Sequence, residues 1–117
     1  MLFRSIGVAR DENTHMPKPY VNKLPESLAG RQVIVLDPML ATGGSLAHTC
    51  ELLVERGCDG TIIVVCVLAA PEGIELLRGT GLDIAVYTAS LDERLNERAF
   101  IVPGLGDAGD RQFGSPA

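Results

Sequence analysis

Apolar residues in this chain fall into three unbroken runs, and two stretches with helical spacing lie between them. The runs are Gln32–Leu36 (QVIVL), Thr61–Ala69 (TIIVVCVLA) and Ile84–Thr88 (IAVYT), and they are aliphatic or β-branched nearly throughout. Such runs without alternation mark strands buried on both faces of a parallel sheet. Thr61–Ala69, the most apolar, is the expected central strand. Between the first two runs, Leu46, Cys50, Leu53, Val54 and Gly57 share one helical face, and Gly57 stands where that helix should end. Between the second and third, Pro71 suits the first position of a helix that turns Ile74 and Leu77 inward. Strand, helix, strand, helix, strand implies right-handed crossovers and a parallel sheet with helices on its faces.

The flanks read differently. Phe3–Ala9 has strand character. Residues 10–25 contain Pro17, Pro19 and Pro25, which exclude a regular helix and predict an extended arm. An arm of that length in so small a domain points to function. Asp92–Glu97 reads as a solvated charged loop, and Pro103–Ala117 as a glycine-rich loop held by neighbours or a ligand. Neither a repeat nor a linker divides the chain, so residues 1–117 form one domain.

Composition narrows the function classes. A hydrophobic fraction of 46% and a mean hydropathy of +0.21 exclude a disordered chain. A net charge of -5 argues against a nucleic-acid binder, which carries a basic face. It does not exclude a phosphorylated small molecule, because backbone amides and a metal ion can hold one. Cys50, Cys58 and Cys66 lack the spacing of a zinc site or a disulfide framework and read as small buried hydrophobes in a reducing cytosol. No run reaches membrane-spanning length and no signal-peptide pattern is present, so a soluble cytoplasmic protein is expected. His15 and His48 have no partners at ligand or triad spacing and receive no role.

The chemistry concentrates in Asp37–Ser45, DPMLATGGS. An apolar strand delivers Asp37 to the carboxyl edge of the sheet, where open α/β sheets bind ligands. Ala41, Thr42, Gly43 and Gly44 are small enough for the backbone to curl around an anion. Ser45 sits where the helix starts, so free N–H groups and the positive helix end face one point. An ordinary strand–turn–helix with Ser45 as N-cap is the plainer alternative, and spacing alone leaves both open. Neither the lysine-bearing Walker pattern nor the dinucleotide glycine pattern is present.

An apolar strand, an acid and A-T-G-G-S resemble the 5-phosphoribosyl-1-pyrophosphate (PRPP) motif of type I phosphoribosyltransferases. With Pro38 after a single acid, DPMLATGGS resembles the form found in uracil phosphoribosyltransferases. Arg10–Glu12 with Pro19-Tyr20 and Lys23-Leu24-Pro25 is similar to that family's arm, and Ile101–Gly114 (IVPGLGDAGDRQFG) to its base-binding segment. Ala69–Gly73 and Tyr87–Ser90 match its strand ends, which shape the pocket.

The resemblance implies a Rossmann-like phosphoribosyltransferase core with helices on both faces. It implies transfer of 5-phosphoribosyl from PRPP to uracil, giving UMP and pyrophosphate, by a pentosyltransferase of pyrimidine salvage. Asp37 and Asp107 become the catalytic candidates. PRPP is assigned to Arg10, Asp107 and the turn formed by Asp37, Pro38, Met39, Leu40, Ala41, Thr42, Gly43, Gly44 and Ser45. Uracil is assigned to Ile101, Gly106, Asp107 and Ala108, largely through backbone groups, in a loop region spanning 100–117. Mg2+ is implied as cofactor, held through PRPP and water rather than by direct protein ligands. A homo-oligomer is implied, and for part of the family a response to GTP; a nucleic-acid or membrane partner is not.

The resemblance covers only the later part of the family. Elements that precede it elsewhere, including another phosphate-contacting arginine and a pyrophosphate loop, have no counterpart here, so one sheet edge and one helical layer are expected to be open. Two further readings follow: an inactive fragment that keeps the fold, and a nucleotide-responsive RNA-binding regulator of the same fold.

Overall fold

In the computed structural model the described residues are Arg4, 6–10 and 17–115, with the side chains of 7–22 set aside. The arm begins as a hairpin: β1 (Ile6–Arg10) pairs antiparallel with β2 (Pro17–Asn22), with an irregularity between Gly7 and Val8. Asp11 and Glu12 lie outside the described residues.

β3 (Ile34–Leu36) and β4 (Met39–Leu40) follow, then helix α1 (Gly44–Glu55), strand β5 (Ile62–Ala69), helix α2 (Pro71–Gly79) and strand β6 (Ile84–Leu91). β3 and β4 run along one side of β5 and β6 along the other, all parallel. Leu36 faces Val65 and Met39 faces Leu68, so the register is continuous across the break between β3 and β4. Asp37 and Pro38 make that break. Pro38 has no N–H to offer a ladder, yet its carbonyl accepts from Val67 N at 3.0 Å and Leu68 N at 3.3 Å. α1 ends as its sequence demands: Gly57 takes φ 85° and its N–H bonds the Val54 carbonyl at 2.8 Å, while Cys58 N reaches Leu53 O at 3.0 Å. Pro71 is the first residue of α2.

Successive strands advance across the sheet in one direction, so right-handed crossovers bring α1 and α2 to the same face, where they touch each other. Under them lies the core of Leu40, Leu46, Cys50, Leu53, Ile62, Val64 and Leu77. All three cysteines are buried and free. The opposite face exposes Ile34, Leu36, Val65, Val67, Tyr87 and Leu91. β5 therefore alternates between buried and exposed positions even though its sequence is apolar throughout. Burial on both strand faces, which the unbroken runs predict, is met on one face only, because the described residues supply a single helical layer.

Two expected loops are structured. Within 92–97, β7 (Arg94–Leu95) pairs antiparallel with β8 (Ile101–Val102). The Asn96 side chain closes their turn by accepting from Arg98 N at 2.9 Å and Phe100 N at 3.0 Å. In the glycine-rich tail, α3 (Ala108–Phe113) forms under the Asp107 cap, whose Oδ1 accepts from Asp110 N at 2.9 Å. No helix among the described residues is long and apolar enough to cross a membrane.

Candidate functional site

Two cavities meet at the carboxyl edge of the sheet. The first, about 270 Å³, is lined by the segment from Asp37 to Leu46 except Pro38 and Gly44. The second, about 320 Å³, is lined by Ile101, Gly106, Asp107 and Ala108, by Ala99 and Phe100, and by Met39 and Ala41. Met39 and Ala41 border both, so the two are adjacent across a shared wall. The structure thus brings the Asp37–Ser45 turn and the 101–108 segment together. Arg10 lies in β1, and its side chain falls outside what is described.

In the first cavity the chain turns from β4 into α1 at Gly43, which takes φ 83° as the N-cap and makes no side-chain cap bond. Ser45, the N-cap of the plainer alternative, is instead an exposed second residue of the helix. The left-handed backbone at Gly43, which glycine adopts without penalty, starts the helix earlier. The first helical bond runs from Ala47 N to Gly43 O at 2.8 Å, so the N–H groups of Gly44, Ser45 and Leu46 have no acceptor within the helix. The first turn of α1 carries no acidic residue, which leaves the positive end of the helix unneutralised. Asp37 stands at the end of β3. Burial raises its carboxyl above the ordinary aspartate value, and a hydrogen bond from Met39 N at 3.2 Å partly offsets that rise.

The second cavity is built by the β7–β8 hairpin and the turn after it. Ile101 is 3% exposed and anchors that wall. Asp107 points one carboxylate oxygen at the α3 backbone while lining the cavity. Asp37 and Asp107 therefore serve different cavities. Ala99 escaped the sequence reading, and Phe100 entered it only as the first residue of the 100–117 loop region. Ala99 takes φ 62°, uncommon for a residue with a β-carbon, and nothing in its identity signals this.

The strand ends hold this arrangement in register without lining either cavity. Ala70 N donates to Leu40 O at 2.9 Å, and Gly73 packs on the turn. Glu72 accepts from Leu95 N at 2.9 Å, a bond that lowers its carboxyl below the ordinary value. Tyr87 instead lies on the uncovered face, 63% exposed.

A family model described as uracil phosphoribosyltransferase matches residues 2–115. The chain belongs to that family. Over 109 residues it is 53% identical to proteins named uracil phosphoribosyltransferase from Corynebacterium diphtheriae and Corynebacterium efficiens, a match that covers 93% of this chain and 51% of each relative. A solved structure titled "Structure of AQ2163 protein from Aquifex aeolicus" superposes with a TM-score of 0.81 at 37% identity, covering 93% of this chain and 51% of that one. The chain thus spans about half the length of the uracil phosphoribosyltransferases it matches.

Proposed function

We propose that this chain carries the phosphate-binding and base-binding part of an enzyme that transfers 5-phosphoribosyl from PRPP to uracil. The observation that carries this reading is the wall of Met39 and Ala41 shared by the two cavities. A ribose bound there would have its 5-phosphate at the α1 N-terminus and its C1 beside a base in the second cavity. In the reaction the bond from C1 to pyrophosphate breaks, the bond from C1 to uracil N1 forms, and the N1 proton is released. Positioning two reactants this closely accounts for a large share of such a barrier.

The residues take simple roles. Free N–H groups of Gly44, Ser45 and Leu46 hold the 5-phosphate. Asp37 accepts hydrogen bonds from the ribose hydroxyls and faces the positive charge that develops at C1. Backbone groups of Ile101, Gly106 and Ala108 read the uracil edge, and an ill-matched base would leave them unpaired. Among the described residues no three His, Cys, Asp or Glu side chains group as metal donors. The Asp107 carboxylate lining the second cavity fits an Mg2+ ion that would be held largely by substrate phosphates and water. The ion, when bound, neutralises charge on the departing pyrophosphate. The resemblance extends the proposal to a cytoplasmic homo-oligomer and to GTP as an effector; sedimentation with and without GTP tests the last two.

UMP formation from labelled uracil, PRPP and Mg2+ is the test. Turnover in the parent and its loss in Asp37→Ala support the proposal. The half-length match favours a second reading, in which this chain alone binds phosphate without turnover. Pyrophosphate binding with no UMP at high protein concentration would select it.

A further inference from the structure

The carboxylate of Asp92 ties the end of β6 to the turn that follows β8. Its Oδ1 accepts from the Ser90 hydroxyl at 2.6 Å and its Oδ2 from Gly104 N at 2.9 Å, while its own N–H bonds Ala69 O at 2.8 Å. Both carboxylate oxygens and the backbone are thus engaged, at the junction of central sheet and cavity wall. Charge-assisted bonds of this length are the strong ones.

The Gly104 bond decides what the Ile101 carbonyl can do. In a four-residue turn from Ile101 to Gly104, the last N–H ordinarily donates to the first carbonyl. Here that N–H donates to Asp92 instead. The neighbouring carbonyls of Phe100 and Val102 accept from Asn96 N and Glu93 N, each at 2.9 Å. Carbonyls alternate in direction along an extended strand, so the Ile101 carbonyl points away from β7. Gly104 also packs so closely on this carbonyl that a β-carbon there would collide with it. Its position is therefore fixed from two sides, and it belongs to a residue lining the second cavity.

We infer that Asp92 is a positioning residue for the base: by taking the Gly104 N–H it keeps the Ile101 carbonyl free, and fixed in place, to accept a hydrogen bond from a ring N–H of a pyrimidine. The inference rests on reading the second cavity as the base pocket. The carboxylate itself touches no substrate and acts through Gly104 and Ile101.

Two readouts on 15N-labelled protein test it: amide exchange, and affinity for uracil against inorganic pyrophosphate. In Asp92→Ala, Gly104 exchange should rise about tenfold or more while the amides of β5 stay unchanged. Uracil affinity should fall about tenfold or more, with pyrophosphate affinity within about twofold of the parent. Asp92→Asn should restore most of both, since its oxygen can accept from Gly104 while its amide donates to Ser90. Should Asp92→Ala not fold, Ser90→Ala removes one partner and should weaken uracil binding about threefold. Unchanged Gly104 exchange, or parallel loss of uracil and pyrophosphate binding in a folded variant, would overturn the inference. A parent that binds pyrophosphate but no uracil, with Gly104 exchange still dependent on Asp92, overturns the base-pocket reading and leaves only the clamp.

Discussion

A β-carbon on Gly43 would stand 2.9 Å from the carbonyl oxygen of Gly73, so the turn before α1 and the first turn of α2 meet backbone to backbone. The restriction is mutual. A β-carbon on Gly73 would collide with the Ala41 carbonyl and lie 2.9 Å from Leu40 Cδ1. The curvature of the turn is thus set by a helix elsewhere in the sequence, and two glycines make the contact possible.

Gly73→Ala should cost about 1–3 kcal/mol, because backbone on both sides leaves little room to relax. Urea unfolding measures this, and ribose 5-phosphate affinity should fall with it. Gly44→Ala is the contrast. A β-carbon there meets nothing within 4 Å, and alanine favours the helix, so stability should hold or rise by up to about 1 kcal/mol. Any loss of ribose 5-phosphate affinity in Gly44→Ala then reports on the ligand rather than on the fold.

Asp37 supplies a pH dependence with a definite sign. Its carboxyl is raised in the folded protein, so folding favours the protonated form. Its contribution to stability is most favourable below the ordinary aspartate value and declines as pH rises through the raised folded value. Asp37→Asn should therefore be more stable than the parent at neutral pH, with the gap closing toward acid in urea midpoints taken across that range. The same variant should bind ribose 5-phosphate more weakly, a trade of stability for binding expected at a functional site.

Cys50 is fully buried, and its thiol is pushed up to about 11 by that burial, with smaller contributions from Cys58 and Glu51. Relative to an ordinary thiol its thiolate fraction near pH 8 falls on the order of a hundredfold. Iodoacetamide should leave Cys50 unmodified in the native protein and label it in urea, which peptide mass spectrometry can read. Cys58 and Cys66, also buried, should behave alike.

The uncovered sheet face gives a prediction about association. Leu36 is 67% exposed and Tyr87 63% exposed, side by side with Val65 and Val67. Apolar patches of this kind drive association. Leu36→Lys should leave the unfolding free energy from urea titration within about 0.5 kcal/mol of the parent. Light scattering should record less self-association in the variant at matched concentration.

The parts legible in the sequence were those whose physics is local. QVIVL and TIIVVCVLA could be little but sheet, Gly57 could end a helix, and DPMLATGGS could make a tight strand-to-helix turn because its residues are small and follow a strand. The rest depends on distant contacts. Ser45 looked like a cap, but the left-handed backbone at Gly43 took that position. Asp92 looked like one more solvated charge, because only the folded chain brings Gly104 to it. α3 was hidden by the low helix propensity of Gly109. Ala99 and Phe100 reach the second cavity only because the β7–β8 hairpin turns them there. The open helical layer was expected from the family resemblance and not from any one strand, since every run is apolar enough for two layers.

The central claim is that one wall separates a phosphate site from a base site. Amide shift mapping on the 15N-labelled protein tests it directly and does not require turnover. Ribose 5-phosphate should move the amides of residues 41–46, uracil should move those of 101–108, and both should move Met39 and Ala41. Shifts confined to other surfaces, or a single set of residues moved by both ligands, would contradict it.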